Sequence, residues 1–258
     1  MTRTQHRIAI VAALALVLAA CGGAEATDST ASDPAGEVLV SAAASLTDAF
    51  SDIEAAFEAE HPEVDVILNL GGSSSLREQI LEGAPVDVFA SANASNMGRI
   101  ADARLTSGPP QVFARNLLQI AVPVGNPAGI TDLDDFSRTE LLIGLCAEAV
   151  PCGALARQAL ENAGVVAAID TNEPDVRALL TKVEVGELDA GITYVTDVDS
   201  SGGAVEGVDI PTDVNVAAEY PIATLLDAPN AGAAAAFVAF VLSEEGRTIL
   251  VSHGFGTP

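Results

Sequence analysis

Two segments decide how the chain reads: VLVSAAASLTDAF at residues 38–50 and VILNLGGSSSLREQI at residues 66–80. In each, a short β-branched apolar run ends in small residues and serine, and an amphipathic helical pattern follows. A strand that feeds straight into a helix leaves unpaired backbone N–H groups at the helix start, where the peptide dipoles also leave positive charge. Ser45 and Ser73 add a hydroxyl to each junction. Such ends hold anions. Each serine can equally be a plain N-cap, and Gly71-Gly72-Ser73 a polar turn.

Outward from these junctions, strand-like and helix-like patterns alternate, which predicts an α/β fold with mainly parallel strands. Strands are expected at 37–41, 64–70 and 86–91, with helices at 46–60, 74–82 and 96–104. Leu46, Phe50, Ile53 and Phe57 recur every three or four residues and mark the core-facing stripe of the first helix. A strand at 117–124 carries Pro123, which suits an edge or a crossover. A short helix at 132–136, a strand at 141–146 and helices at 153–163 and 173–185 follow. A strand at 190–195 leads to a polar loop at 199–203 and short strands near 208–210 and 214–218. Helices at 231–242 and 243–253 end the chain, the last with Ser243 as N-cap. No internal repeat is visible.

The chain opens with Arg3, His6 and Arg7, then an apolar run at 8–20 too short to span a bilayer. Leu18-Ala19-Ala20-Cys21 resembles a bacterial lipobox, so residues 1–20 are expected to be a lipoprotein signal peptide and Cys21 the lipidated residue. An ordinary signal peptide with an incidental cysteine is the alternative. Residues 21–36 are small, polar and free of aromatics, as a flexible tether is. The expected location is extracytoplasmic, anchored to the cell membrane by lipid.

The charge excludes one class of partner. There are 11 basic and 36 acidic residues in all, and Lys182 is the one lysine. Nothing here neutralises a run of phosphates, so nucleic-acid binding is not expected. The acidic residues are scattered, which reads as a solvated surface. A closed set of N–H and O–H donors still binds an anion in such a protein. Hydrogen bonds to a charged acceptor contribute about 1.5–3 kcal/mol each, and exposed charges beyond about 8–10 Å are screened.

Cys146 and Cys152 frame the segment CAEAVPC, and an oxidising compartment makes a disulfide the expected state. The spacing rules out a CxxC redox centre. Only His61 and His253 follow the signal segment, so no direct metal ligands and no cofactor are expected. Tyr194 ends the strand pattern GITY, as a hydroxyl donor or as a core tyrosine.

The blocks AAASLTDAF, GGSSSLREQILEGAPVDVFASAN, VPCGALARQAL, EPDVRALLTKVEVGELDAGITYVTD, EYPIA and HGF stand here in the order seen in periplasmic molybdate-binding proteins of ABC transporters. The chain resembles that family over residues 37–255. The resemblance implies a two-lobe, type II periplasmic-binding-protein-like fold with the ligand in the cleft. Lobe 1 would be 37–116 plus 220–258 and lobe 2 would be 117–219, with crossovers near 115–122 and 218–223. It implies an oxyanion site of the Ser45 and Ser73 hydroxyls, backbone N–H groups at Cys152 and Val176, and Tyr194. Cys152 stands where the family usually has alanine. Arg77 and Arg177 adjoin site positions and are read as neighbours rather than contacts. The implied function is capture of molybdate, and of tungstate, by a monomeric substrate-binding component serving a membrane permease. Other oxyanions such as sulfate remain the alternative within this class. A serine hydrolase ending in His253 is the enzyme alternative, but the chain has no G-x-S-x-G elbow.

Overall fold

The computed structural model describes residues 33–258. The expected signal segment 1–20, the expected lipidation position Cys21 and residues 21–32 of the expected tether lie outside the described residues. The chain begins with β1 (Gly36–Ala43), α1 (Thr47–Glu60), β2 (Val64–Gly71), α2 (Ser73–Leu81) and β3 (Val88–Ala90), followed by α3 (Ala94–Asp102). The three strands pair in parallel in the order β2-β1-β3. After the long β4 (Gln111–Pro123), the pattern returns as β5 (Ile143–Cys146), α4 (Pro151–Ala163), β6 (Thr171–Glu173), α5 (Val176–Glu184) and β7 (Ala190–Tyr194). These strands are also parallel, in the order β6-β5-β7. The sequence shows no repeat, yet the backbone repeats its topology.

The remaining elements are α6 (Val195–Ser200), β8 (Val205–Asp209), β9 (Ala217–Thr224), α7 (Ala231–Val241) and α8 (Glu244–Ser252). β9 runs antiparallel to β3 and to residues 111–117 of β4, and residues 118–123 of β4 pair with β7 and β8. Two three-stranded parallel halves are thus stitched together by β4 and β9. The stripe read from α1 is where it was expected: Leu46, Phe50, Ile53 and Phe57 are fully buried. Phe50 and Phe57 pack edge-on against Phe237 of α7. Burial of each such ring contributes about 1.5–3 kcal/mol, which fixes α1 and the junction before it.

Three expectations need correction. The strand near 214–218 starts at Ala217 and runs to Thr224, through Pro221. Proline normally leaves a sheet interior, but Pro221 faces Val112 where the β4–β9 register shifts, so the missing N–H falls at an irregularity. The helix expected at 173–185 is two elements. Glu173 precedes proline and stays extended in β6, and Asp175 caps α5 by accepting the Ala178 N–H at 2.9 Å. The tail of the strand expected at 190–195, and part of the loop after it, form the short helix α6. Among the described residues, no helix is long and apolar enough to cross a membrane.

Candidate oxyanion-binding site

The C-terminal ends of β1, β2 and β7, and the turns that follow β3, β5 and β6, open onto one small cavity of about 10 Å³. It is lined by Ala43, Ala44, Ser45, Gly71, Gly72, Ser73, Ala92, Val150, Pro151, Cys152, Asp175, Val176 and Tyr194. All five residues expected at a site, Ser45, Ser73, Cys152, Val176 and Tyr194, lie on this wall. So small a space, lined by small residues and hydroxyls, suits a compact ion rather than a sugar or peptide. The lining contains no lysine, arginine or histidine.

The serines sit differently from the caps considered for them. Ser45 lies in the 3-10 turn Ala44–Leu46, and neither that turn nor α1 has a side-chain cap. Its hydroxyl is 3.0 Å from that of the buried Tyr220, on β9. Ser73 is the first residue of α2 rather than its N-cap, a position held by Gly72. Its oxygen accepts the Ala92 N–H at 3.1 Å, so its own proton is left to donate. Neither hydroxyl is spent on its helix.

The facing wall is made by helix starts. Val150 is extended before Pro151, the first residue of α4, so Cys152 falls in the first turn. Val176 opens α5. No acidic residue occupies the first turn of α2, α4 or α5. In a chain with 36 acidic residues, that leaves the starts of α2 and α4 without a compensating carboxylate at the cavity, while α5 carries its N-cap Asp175. The one carboxylate on the lining, Asp175, is turned onto the Ala178 N–H.

Cys146 and Cys152 are joined by a disulfide. The loop they close folds tightly onto α4: a Cβ at Gly153 would lie 2.1 Å from the Ala147 carbonyl oxygen. Arg157 donates to the carbonyls of Cys146 at 2.8 Å and Gly153 at 2.9 Å. The Cys152 amide is therefore held by a covalent link and a cation together.

Tyr194 is the clearest signal. It is 1% exposed, it lines the cavity, and its hydroxyl, beside that of Tyr220, has no hydrogen-bond partner of good geometry. Burial, then the proximity of Tyr220 and Asp197, pushes its pKa well up. Burial does the same to Tyr220, so both phenols remain protonated donors. A buried O–H without a partner costs about 1–3 kcal/mol, a penalty that a ligand oxygen in the cavity would relieve.

Three features were missed in the sequence. Tyr220 supports Ser45 from 175 residues away. Gly72 touches the facing wall: a Cβ there would lie 2.5 Å from the Pro174 carbonyl oxygen. Asp197, fully buried one turn after Tyr194, accepts the Tyr194 N–H at 3.1 Å. Only the small residue at Gly72 could have flagged any of these. Arg77 is buried away from the lining and binds Asn96 and Glu78.

The hydrolase alternative has no geometry behind it. His253 bonds Asp52 at 2.8 Å beyond the end of α8, and no histidine lines the cavity with Ser73. Among the described residues, no group of three or more His, Cys, Asp or Glu side chains could hold a metal ion.

Comparison with known proteins places this geometry. Residues 38–256 match the family model described as bacterial extracellular solute-binding protein. The molybdate-binding protein ModA of Mycobacterium tuberculosis is 38% identical over 255 residues, covering 96% of each chain. A solved substrate-binding domain of a putative molybdenum ABC transporter from Clostridium difficile is 26% identical, with a TM-score of 0.65, covering 87% of this chain and all of that one. The sulfate-binding protein SubI of Mycobacterium tuberculosis superposes with a TM-score of 0.76 over 85% of this chain and 86% of its own, but at 18% identity it shows the fold alone. The fold is that of the type II periplasmic binding proteins, and the chain belongs to the bacterial extracellular solute-binding protein family.

Proposed function

We propose that this protein captures molybdate, and tungstate with it, between the two halves of its sheet and delivers it to the permease of an ABC transporter. It is a binding protein rather than an enzyme, and the oxyanion is its cargo, not a cofactor. The observation that carries the reading is the unpartnered Tyr194 hydroxyl, facing a cavity rimmed by the starts of α2, α4 and α5. The Ser45, Ser73 and Tyr194 hydroxyls with the backbone N–H groups of Cys152 and Val176 would surround a tetrahedral dianion with donors. No fixed cation stands on the lining, so the cage selects by size and releases its cargo when it opens.

Residues 37–116 with 220–258 would act as one lobe and 117–219 as the other, hinged where β4 and β9 cross between them. The protein would act as a monomer. Residues 1–20 as a lipoprotein signal, with lipid on Cys21, would keep it at the outer face of the cell membrane, beside its permease.

Calorimetric titration with molybdate, tungstate, sulfate and phosphate tests the reading. Molybdate and tungstate should bind at one site per chain, and sulfate far more weakly. Sulfate binding as tight as molybdate would overturn the size selection, and no binding by any of the four would overturn the oxyanion site.

A further inference from the structure

A chain of charged groups beside the site has no part in the donor cage. Arg177 is the second residue of α5, directly after Val176. Its guanidinium is hydrogen-bonded and ion-paired to Asp48 on α1. Its Nε also stands 3.8 Å from Oδ1 of Asp197, on α6. That Oδ1 and the Arg177 Nε have no hydrogen-bond partner, so the guanidinium lies over Asp197 as a charge and spends its bonds on Asp48. Asp48 belongs to the first half of the molecule, and Arg177 and Asp197 to the second. The Gly72–Pro174 approach also spans the two halves. Both contacts require the halves to be together.

We propose that Arg177 is a positioning residue for ligand capture: it latches α1 to α5 beside the occupied cavity by bridging Asp48 to Asp197, and so sets how long the oxyanion stays. The proposal rests on the reading of an oxyanion held between two moving lobes. When the lobes part, Arg177 keeps Asp197, which belongs to its own half, and loses Asp48. Closure thus adds one ion pair, formed after the ligand has entered, so the pair acts on release and hardly on entry. The guanidinium suits the task because it is planar and presents several donors at once, so it faces two carboxylates, whereas a lysine ammonium is a single point charge. Flanked by two carboxylates, it brings no net positive charge to the cage. The pair is partly exposed, with Arg177 29% and Asp48 46% accessible, so its effect is modest.

Release of radiolabelled molybdate, chased with unlabelled molybdate, tests the latch. Asp48→Asn and Arg177→Gln should each speed release by roughly fivefold, with the association rate nearly unchanged. The double variant should be no faster than the faster single one, and Arg177→Lys should fall between wild type and Arg177→Gln. In the ligand-free protein the two substitutions should act additively on Tm, because there the pair is apart. Unchanged release from Asp48→Asn would overturn the latch. So would a coupling in the ligand-free Tm as large as that in release, which marks a static ion pair. If wild-type protein does not retain molybdate, the oxyanion reading itself falls. If it does and the variants release no faster, only the latch falls.

Discussion

The two halves share one topology and use it differently. In the first, β1 and β2 run into helix starts through Ala43-Ala44-Ser45 and Gly71-Gly72-Ser73, and each junction offers a side-chain hydroxyl. In the second, the corresponding junctions after β5 and β6 end in Cys152 and Val176, whose side chains are poor donors, so only backbone N–H groups remain. The third junction is reversed: β3 leads to Ala92, and β7 delivers Tyr194. One half is therefore open to tuning by a hydroxyl at two positions. The other, Tyr194 apart, offers backbone N–H groups, and the disulfide and the Arg157 clamp hold the loop that carries one of them. A repeated fold has supplied one cage with two kinds of donor.

The place where the halves touch gives the largest expected effect. Gly72 has φ −60° and ψ 127°, a conformation alanine adopts freely, so Gly72→Ala brings no backbone strain. Its new methyl would meet the Pro174 carbonyl only in the closed arrangement. Molybdate affinity should fall by about a hundredfold, the scale of an overpacking cost of about 1–3 kcal/mol, while the ligand-free Tm stays level or rises slightly. Calorimetry with a thermal melt checks both, and unchanged affinity would mean that the halves do not close on the ligand.

A smaller effect separates the two kinds of donor. Tyr194→Phe removes a hydroxyl that has no partner within the protein, so the ligand-free Tm should not fall while affinity drops by about tenfold. Ser73→Ala should weaken binding by a similar factor but also lower the ligand-free Tm, because the Ala92 N–H loses its acceptor. If both variants lower Tm alike, the Tyr194 hydroxyl has a structural partner after all.

The sequence carried the fold and the cage unequally. The junctions after β1 and β2 were legible because strand period, small residues and helix period follow one another within a dozen positions. The repeat of the β2-β1-β3 order as β6-β5-β7 was not, because topology survives where side chains have diverged. β9 was misplaced since its Pro221 is tolerated only opposite an irregularity in β4, a fact held 109 positions away. The cage residues were found through whole blocks of resemblance. Their supports were invisible: Tyr220 meets Ser45 across 175 residues, and Arg177 meets Asp48 across 129. Local pattern reports what a residue offers, and only the tertiary fold reports what it is offered to.

The smallest expected effect concerns the buried acids, which again differ between the halves. Asp87, before β3, accepts the Leu39 N–H at 2.8 Å on one oxygen and the Asn230 N–H at 2.6 Å on the other. Asp197, after β7, has one oxygen on the Tyr194 N–H and the other without a hydrogen bond. Burial pushes its pKa up to about 7; Arg177 and the Tyr194 N–H pull it down, and Asp48 and Asp175 push it up. In the unfolded chain the same group ionises near 3.8. Between those values the native state holds a proton that the unfolded chain has released, so this residue's contribution to stability falls as pH rises from about 4 to about 7 and is level above. Asp197→Asn keeps the acceptor for the Tyr194 N–H and removes the titration. The difference in Tm between variant and wild type should therefore grow across that window in the variant's favour. A difference constant with pH would mean that Asp197 ionises in the native state as readily as in the unfolded chain, with Arg177 and the Tyr194 N–H fully offsetting its burial.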